Sequence, residues 1–259
     1  MKFNKIILLF GITLPVCIGL RLLQLMFTVD FTTGFFKPEY KMYGNIILLC
    51  ILIFAALTAF FSFFSHRTPE NPPKPNIVLS LASFALAGSV FYETISYIAT
   101  ANSGILQGSL LRLFGILCAA FFVMYGVNRF IEIKIPSLLS AIPVIYFIVK
   151  TICDFTSISS LALISDNVML IAVYCFVLLF MLNFAKLYNN VQGDYGSRKL
   201  MAYSLTAGVL CFAQSVGNFA VNIMNDYSYL HTSMATNISI FCTGVFVTAF
   251  CFTYFKKEN

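Results

Sequence analysis

Charge is scarce in this sequence. Asp, Glu, Lys and Arg make up only 10% of its 259 residues, less than half of the ~25% usual in soluble domains. Hydrophobic residues make up 59% and the mean hydropathy is +0.88, which leaves too little polar surface for a water-soluble globule. Histidine is nearly missing as well. His66 and His231 are the only two, so neither a zinc site nor a thiol–imidazole pair has a spacing to rest on. None of the eight cysteines (Cys17, Cys50, Cys118, Cys153, Cys175, Cys211, Cys242, Cys251) forms a C-x-x-C pair, and all lie in apolar stretches. There a thiol packs as a small apolar group. H-E-x-x-H, G-x-S-x-G, G-x-G-x-x-G and Walker patterns are absent. No nucleophile–base constellation is visible among the Ser, Thr and Tyr residues. Neither metal nor cofactor is expected.

The net charge of +6 does not point to nucleic acid. The basic residues are single or paired at the ends of apolar stretches, with no basic run interleaved with aromatics. That placement suits anionic lipid headgroups.

What the chain does have is hydrophobic length. Eight apolar stretches run over roughly 6–28, 44–65, 77–100, 109–131, 136–158, 167–187, 200–224 and 232–255. Each is about the twenty residues that a helix needs to cross a ~30 Å hydrocarbon core. The expected fold is an all-α integral membrane protein of eight transmembrane helices, one polytopic domain over 1–259. Lys2, Lys5, Arg67, Lys74, Arg129, Lys134, Lys186, Arg198, Lys199, Lys256 and Lys257 fall on one side, and only Lys37 and Lys41 on the other. By the positive-inside rule both termini are cytoplasmic. The start, Lys2 and Lys5 followed by IILLFGITL, resembles a signal peptide. No A-x-A site follows, Val16 before Cys17 argues against lipoprotein processing, and the run continues to Val29. A retained first helix is expected.

No loop is long enough for a soluble domain. The segment 30–43 is amphipathic, and Phe35 and Phe36 are expected to dip into the interface. The inner loop 66–76 holds Pro69, Pro72, Pro73 and Pro75, a stiff connector. An internal repeat is a further expectation, with halves of about 1–131 and 132–259 in parallel orientation. FYETISYIA at 91–99 lies over FAQSVGNFA at 212–220, and Pro15-Val16 over Pro143-Val144, at different offsets. Interrupted helices at matching positions of two halves would mark a transporter binding site.

Ionisable residues inside hydrocarbon are costly, about +2.5 to 3.5 kcal/mol each on insertion scales. Arg21, Glu93, Arg112, Lys150 and Asp154 lie within the spans, and the topology puts all five in the outer half. Gln214, Asn218 and Asn222 recur every four residues and share one helix face. Ser89, Glu93 and Ser96 form a comparable stripe flanked by Tyr92 and Tyr97. Such stripes face a bundle interior or a wet cavity, because lipid cannot satisfy them. The candidate ligand-binding residues are Arg21, Glu93, Tyr97, Arg112, Lys150, Asp154, Gln214 and Asn218. The bland reading stands beside this one. Lys150 and Asp154, at i,i+4, neutralise each other along one helix, Arg21 and Arg112 snorkel to the headgroups, and Glu93 locks two helices together through one of the arginines.

These features lead to one expectation and two alternatives. The first is a multi-pass protein of a bacterial cytoplasmic membrane, bacterial because high Phe, Ile and Asn content fits an AT-rich genome. It binds and transports a small polar solute, anionic or zwitterionic since three bases outnumber two acids, through a site open to the outer face. The second is a sensor or accessory subunit of a membrane complex, docking a membrane-protein partner or another copy through small residues such as Ala82, Ala85 and Ser89. The third, an intramembrane lipid-modifying enzyme, requires Glu93 and Asp154 to meet in a cavity that reaches the acyl chains.

Overall fold

Eight helices, each long and apolar enough to cross a membrane, account for nearly all of the described chain. The structure is a computed structural model, describing residues 3–30, 35–64, 76–99, 105–128, 130–131, 136–157, 164–191, 195–224 and 233–255. The helices are α1 (Phe3–Leu23), α2 (Lys41–Phe63), α3 (Ile77–Ala99), α4 (Ile105–Val127), α5 (Ile142–Ser157), α6 (Ile164–Tyr188), α7 (Gly196–Met224) and α8 (Met234–Phe255). The proline-rich connector and the bases Lys2, Arg67, Lys74, Arg129, Lys134, Lys256 and Lys257 lie outside the described residues.

Local chemistry sets several boundaries. Asn76 caps α3, its Oδ1 accepting from the Leu79 N–H at 2.8 Å, while its Nδ2 donates to Thr253 of α8 at 3.1 Å. Ser233 caps α8 in the same way, accepting from the Thr236 N–H at 3.1 Å. The two prolines read as matching interruptions play unlike parts. Pro15 lies inside α1, which continues past it. Pro143 is the second residue of α5, following a 3-10 turn over Ser137–Ala141. A missing N–H costs nothing in a first turn, so Pro143 starts a helix rather than breaking one. The break in α1 comes nine residues after Pro15, where Gln24–Thr28 widens into a π-helical turn.

Helices α3 to α8 close a ring. Each packs on the next in sequence, and α8 packs back on α3. α1 and α2 lie outside the ring against α7, so the first four helices do not make a bundle of their own. α7 is the axis: 83% of its spanning window is buried, against 22% for α2. That position explains how α7 tolerates its polar residues. Serines let α3 and α4 approach closely, with Ser80 donating to the Gly126 carbonyl at 3.0 Å and Ser83 to that of Phe122 at 2.9 Å. One half of the ring interior is filled by Phe121, Phe122 and Tyr125 of α4, Phe180 and Phe184 of α6, and Phe246 and Phe250 of α8. All of these lie late in even-numbered helices. The polar residues occupy the opposite end, where odd-numbered helices finish and even-numbered ones begin.

The first loop departs from expectation. Asp30 N–H donates to the Phe35 carbonyl at 2.8 Å and Lys37 N–H to that of Thr28 at 2.9 Å. This fold-back lays Phe36 on Leu25, Val29 and Val221. Phe36 therefore covers the bundle end rather than entering an interface, and only Phe35 is exposed.

Candidate functional site

The charged residues do not gather into one cluster; they form two.

The first is inside the ring. Tyr146, Lys150 and Asp154 recur every four residues on one face of α5. Lys150 Nζ lies 2.6 Å from Glu93 Oε1 on α3 and 3.1 Å from Asp154 Oδ2. Tyr146 donates to Glu93 Oε2 at 3.3 Å, and Tyr174 of α6 donates to Asp154 Oδ2 at 2.5 Å. The Lys150 ammonium also stands 5.4 Å from the centre of the Tyr174 ring. Beside Lys150 and Tyr174 is a cavity of about 10 Å³, bounded also by Cys211, Ser239 and Thr243. It has room for about one water.

The second cluster lies at the seam between α1, α6 and α7. Arg21 Nη2 meets Asp166 Oδ1 at 2.7 Å, and their side chains are 0% and 1% exposed. Each stands where a helix dipole favours it, the cation in the last turn of α1 and the carboxylate in the first turn of α6. Gln214 of α7 donates to the same Asp166 oxygen at 2.6 Å. Gln24, in the π-helical turn, accepts from Arg21 Nη1 at 2.6 Å and donates to the Gly44 carbonyl of α2 at 2.7 Å. One turn further along α7, Asn218 donates to Asn237 of α8 at 3.1 Å. Asn222 then contacts Met234 Sδ at 3.7 Å. The α7 stripe thus faces the bundle, as its spacing predicts.

Several buried atoms here have no hydrogen-bond partner among the described residues: Arg21 Nε, Asp166 Oδ2, Asn167 Oδ1, Gln214 Oε1 and Asn237 Nδ2. Leaving such groups unmatched costs about 1–3 kcal/mol each, more for charged ones. The amides can present either end. Arg21 and Asp166 cannot: the seam offers one cationic donor and one anionic acceptor.

Against the sequence reading, Glu93 does pair with a base across helices, and that base is Lys150. Lys150 and Asp154 pair along α5 as well. Arg21 does not snorkel, because Asp166 neutralises it in the interior. Arg112 is half-buried and ion-paired to no described acid, with Nε unmatched. The Tyr97 side chain lies outside the described residues. The expected site open to the outer face is closed here: Arg21, Glu93, Lys150, Gln214 and Asn218 are all buried. Ion pairs and tyrosine hydroxyls satisfy much of the charge without water. Asp166 is the residue the sequence reading missed. It sits in the first turn of α6, just before a stretch judged to begin at 167, and a polar residue at a span edge looks like loop. Adding it turns three bases against two acids into three against three, removing the lean toward an anion. Of the small residues named for a docking face, Ala82 and Ser89 are buried inside the bundle and Ala85 is exposed. Glu93 and Asp154 do meet, through Lys150, but neither lines the cavity beside Lys150, which is too small for an acyl chain.

No family model, curated protein or solved structure matches the chain.

Proposed function

We propose that the chain is a multi-pass protein of a bacterial cytoplasmic membrane, both termini inside, that binds and transports a small zwitterionic solute at the α1–α6–α7 seam. The observation carrying this reading is the buried Arg21–Asp166 pair, whose Nε and Oδ2 have no partner among the described residues. A solute bearing both an ammonium and a carboxylate matches one cationic donor and one anionic acceptor together, which a simple anion does not. Gln214 and Asn218, on the same face of the most buried helix, supply adaptable hydrogen bonds beside them. The closed seam is the occluded form of such a site. An acid–base pair in that position is a functional feature by default in a membrane helix bundle.

The full chain, purified in detergent, is to be heated with a panel of amino acids, betaines and small anions. Members of the zwitterion group should raise Tm, and Gln214→Ala should abolish the rise. The same compounds should enter proteoliposomes. If nothing in the panel shifts Tm or is taken up, the seam is structural and the accessory-subunit reading replaces this one.

A further inference from the structure

We infer that the seam selects a zwitterion whose ammonium carries at least two N–H bonds, an amino acid rather than a betaine. This rests on the seam being a solute site and adds what separates solutes of equal charge. Arg21 has two of its three nitrogens engaged: Nη1 donates to Gln24 at 2.6 Å and Nη2 to Asp166 Oδ1 at 2.7 Å. Gln24 is held in turn, donating to the Gly44 carbonyl at 2.7 Å. Only Nε has no partner among the described residues. An arginine and a carboxylate that meet commonly close a second, parallel contact. Here the fork stays open, because Nε and Asp166 Oδ2 are both unmatched on either side of the 2.7 Å contact.

Gln214 adds an acceptor whose sense is fixed. A carboxylate oxygen accepts, so the Gln214 amide must turn Nε2 toward Asp166 Oδ1, as it does at 2.6 Å. Oε1 is then the end left over, and it too is unmatched. The seam therefore offers two acceptors, Asp166 Oδ2 and Gln214 Oε1, and one cationic donor, Arg21 Nε. All three residues are buried, so bulk water does not satisfy these atoms. The carboxylate of an amino acid accepts from Nε, and its ammonium gives one N–H to each oxygen. A betaine carries the same two charges, but its methylated nitrogen donates nothing. Both oxygens would stay buried and unmatched. A site built on hydrogen bonds rejects an analogue without the donors far more strongly than charge alone does.

The full chain in detergent is heated with glycine, alanine, serine, leucine and phenylalanine, each beside its N,N-dimethyl and N,N,N-trimethyl counterparts. Dissociation constants come from the rise of Tm with solute concentration. At least one parent amino acid should bind, its dimethyl form about tenfold or more weakly, and its trimethyl form weaker still. Methylated forms that bind as well as their parents, or better, overturn the inference and leave the seam as a site that reads charge only. A preference for the parent that persists unchanged in Gln214→Ala also overturns it, because the second acceptor is then not Oε1. If no member of any series raises Tm, the inference falls together with the reading of the seam as a solute site.

Discussion

Arg21 crosses α7 at Gly217. A Cβ built on Gly217 would stand 2.7 Å from Arg21 Cγ and 3.1 Å from Leu25 Cδ1, inside the contact distance of carbon atoms. The arginine stem therefore reaches Asp166 only because α7 has no side chain at that point. Gly217→Ala should lower stability by about 1–3 kcal/mol, the usual cost of overpacking. Gly19→Ala, on the same helix as Arg21 with nothing within 4 Å of the added carbon, should be neutral or stabilising. Thermal unfolding of the purified variants checks both, and equal losses would mean that Gly217 is not a packing constraint.

Breaking the seam pair leaves a buried charge without a counter-ion, typically worth about 3–5 kcal/mol. Arg21→Met and Asp166→Asn should each lower Tm sharply. Arg21→Met combined with Asp166→Leu should recover much of the loss, since a buried pair replaced by apolar side chains is often neutral. A double variant whose loss equals the sum of the two singles would show that the residues do not act as a pair.

Much of this architecture was legible in the chain. The eight apolar stretches became helices with ends shifted by a few residues, because helix length and lipid thickness constrain each other. The pairing of Glu93 with a base across helices also followed, since a carboxylate two turns deep cannot snorkel. Partner choice did not follow. Glu93 could have met Arg21, Arg112 or Lys150, and only the ring of α3 to α8 brings it to Lys150. Asp166 escaped notice because burial at the edge of a span depends on what packs there. The proline match misled because a proline's effect depends on its position in the helix: tolerated inside α1, initiating in α5.

Within the ring the substitutions should be unequal. Lys150→Met leaves Glu93 and Asp154 facing each other without their shared cation, so it should cost about 3–5 kcal/mol. Glu93→Gln still leaves Lys150 paired with Asp154, and should cost nearer the 1–3 kcal/mol of a weakened buried contact. Adding Glu93→Gln to Lys150→Met should restore part of Tm. Equal costs for the two single variants would contradict Lys150 as the shared counter-ion.

An even number of crossings would put both ends on one side, and from the basic asymmetry we propose that this side is the cytoplasm. A reporter that is active only after export, fused after Asn259, should be silent. The same reporter fused within 225–232 should be active. Activity at Asn259 would require an odd number of crossings and would invert the sidedness of both clusters.

Accessibility separates a carrier from a structural knot. Asp154 is partly exposed, whereas Gln214 and Asn218 are fully buried. In a chain whose eight native cysteines are replaced, a cysteine at 154 should react readily with a membrane-impermeant thiol reagent added outside. Cysteines at 214 and 218 should be slow at rest. If the seam opens to load solute, a panel member that raises Tm should change their rates, because its binding shifts the population between closed and open forms. Ile223, 82% exposed on the same helix, faces away from the seam; a cysteine there should respond to no solute. Constant protection at 214 and 218 under every panel member would mean that the seam never opens, leaving Arg21 and Asp166 as a clamp between helices.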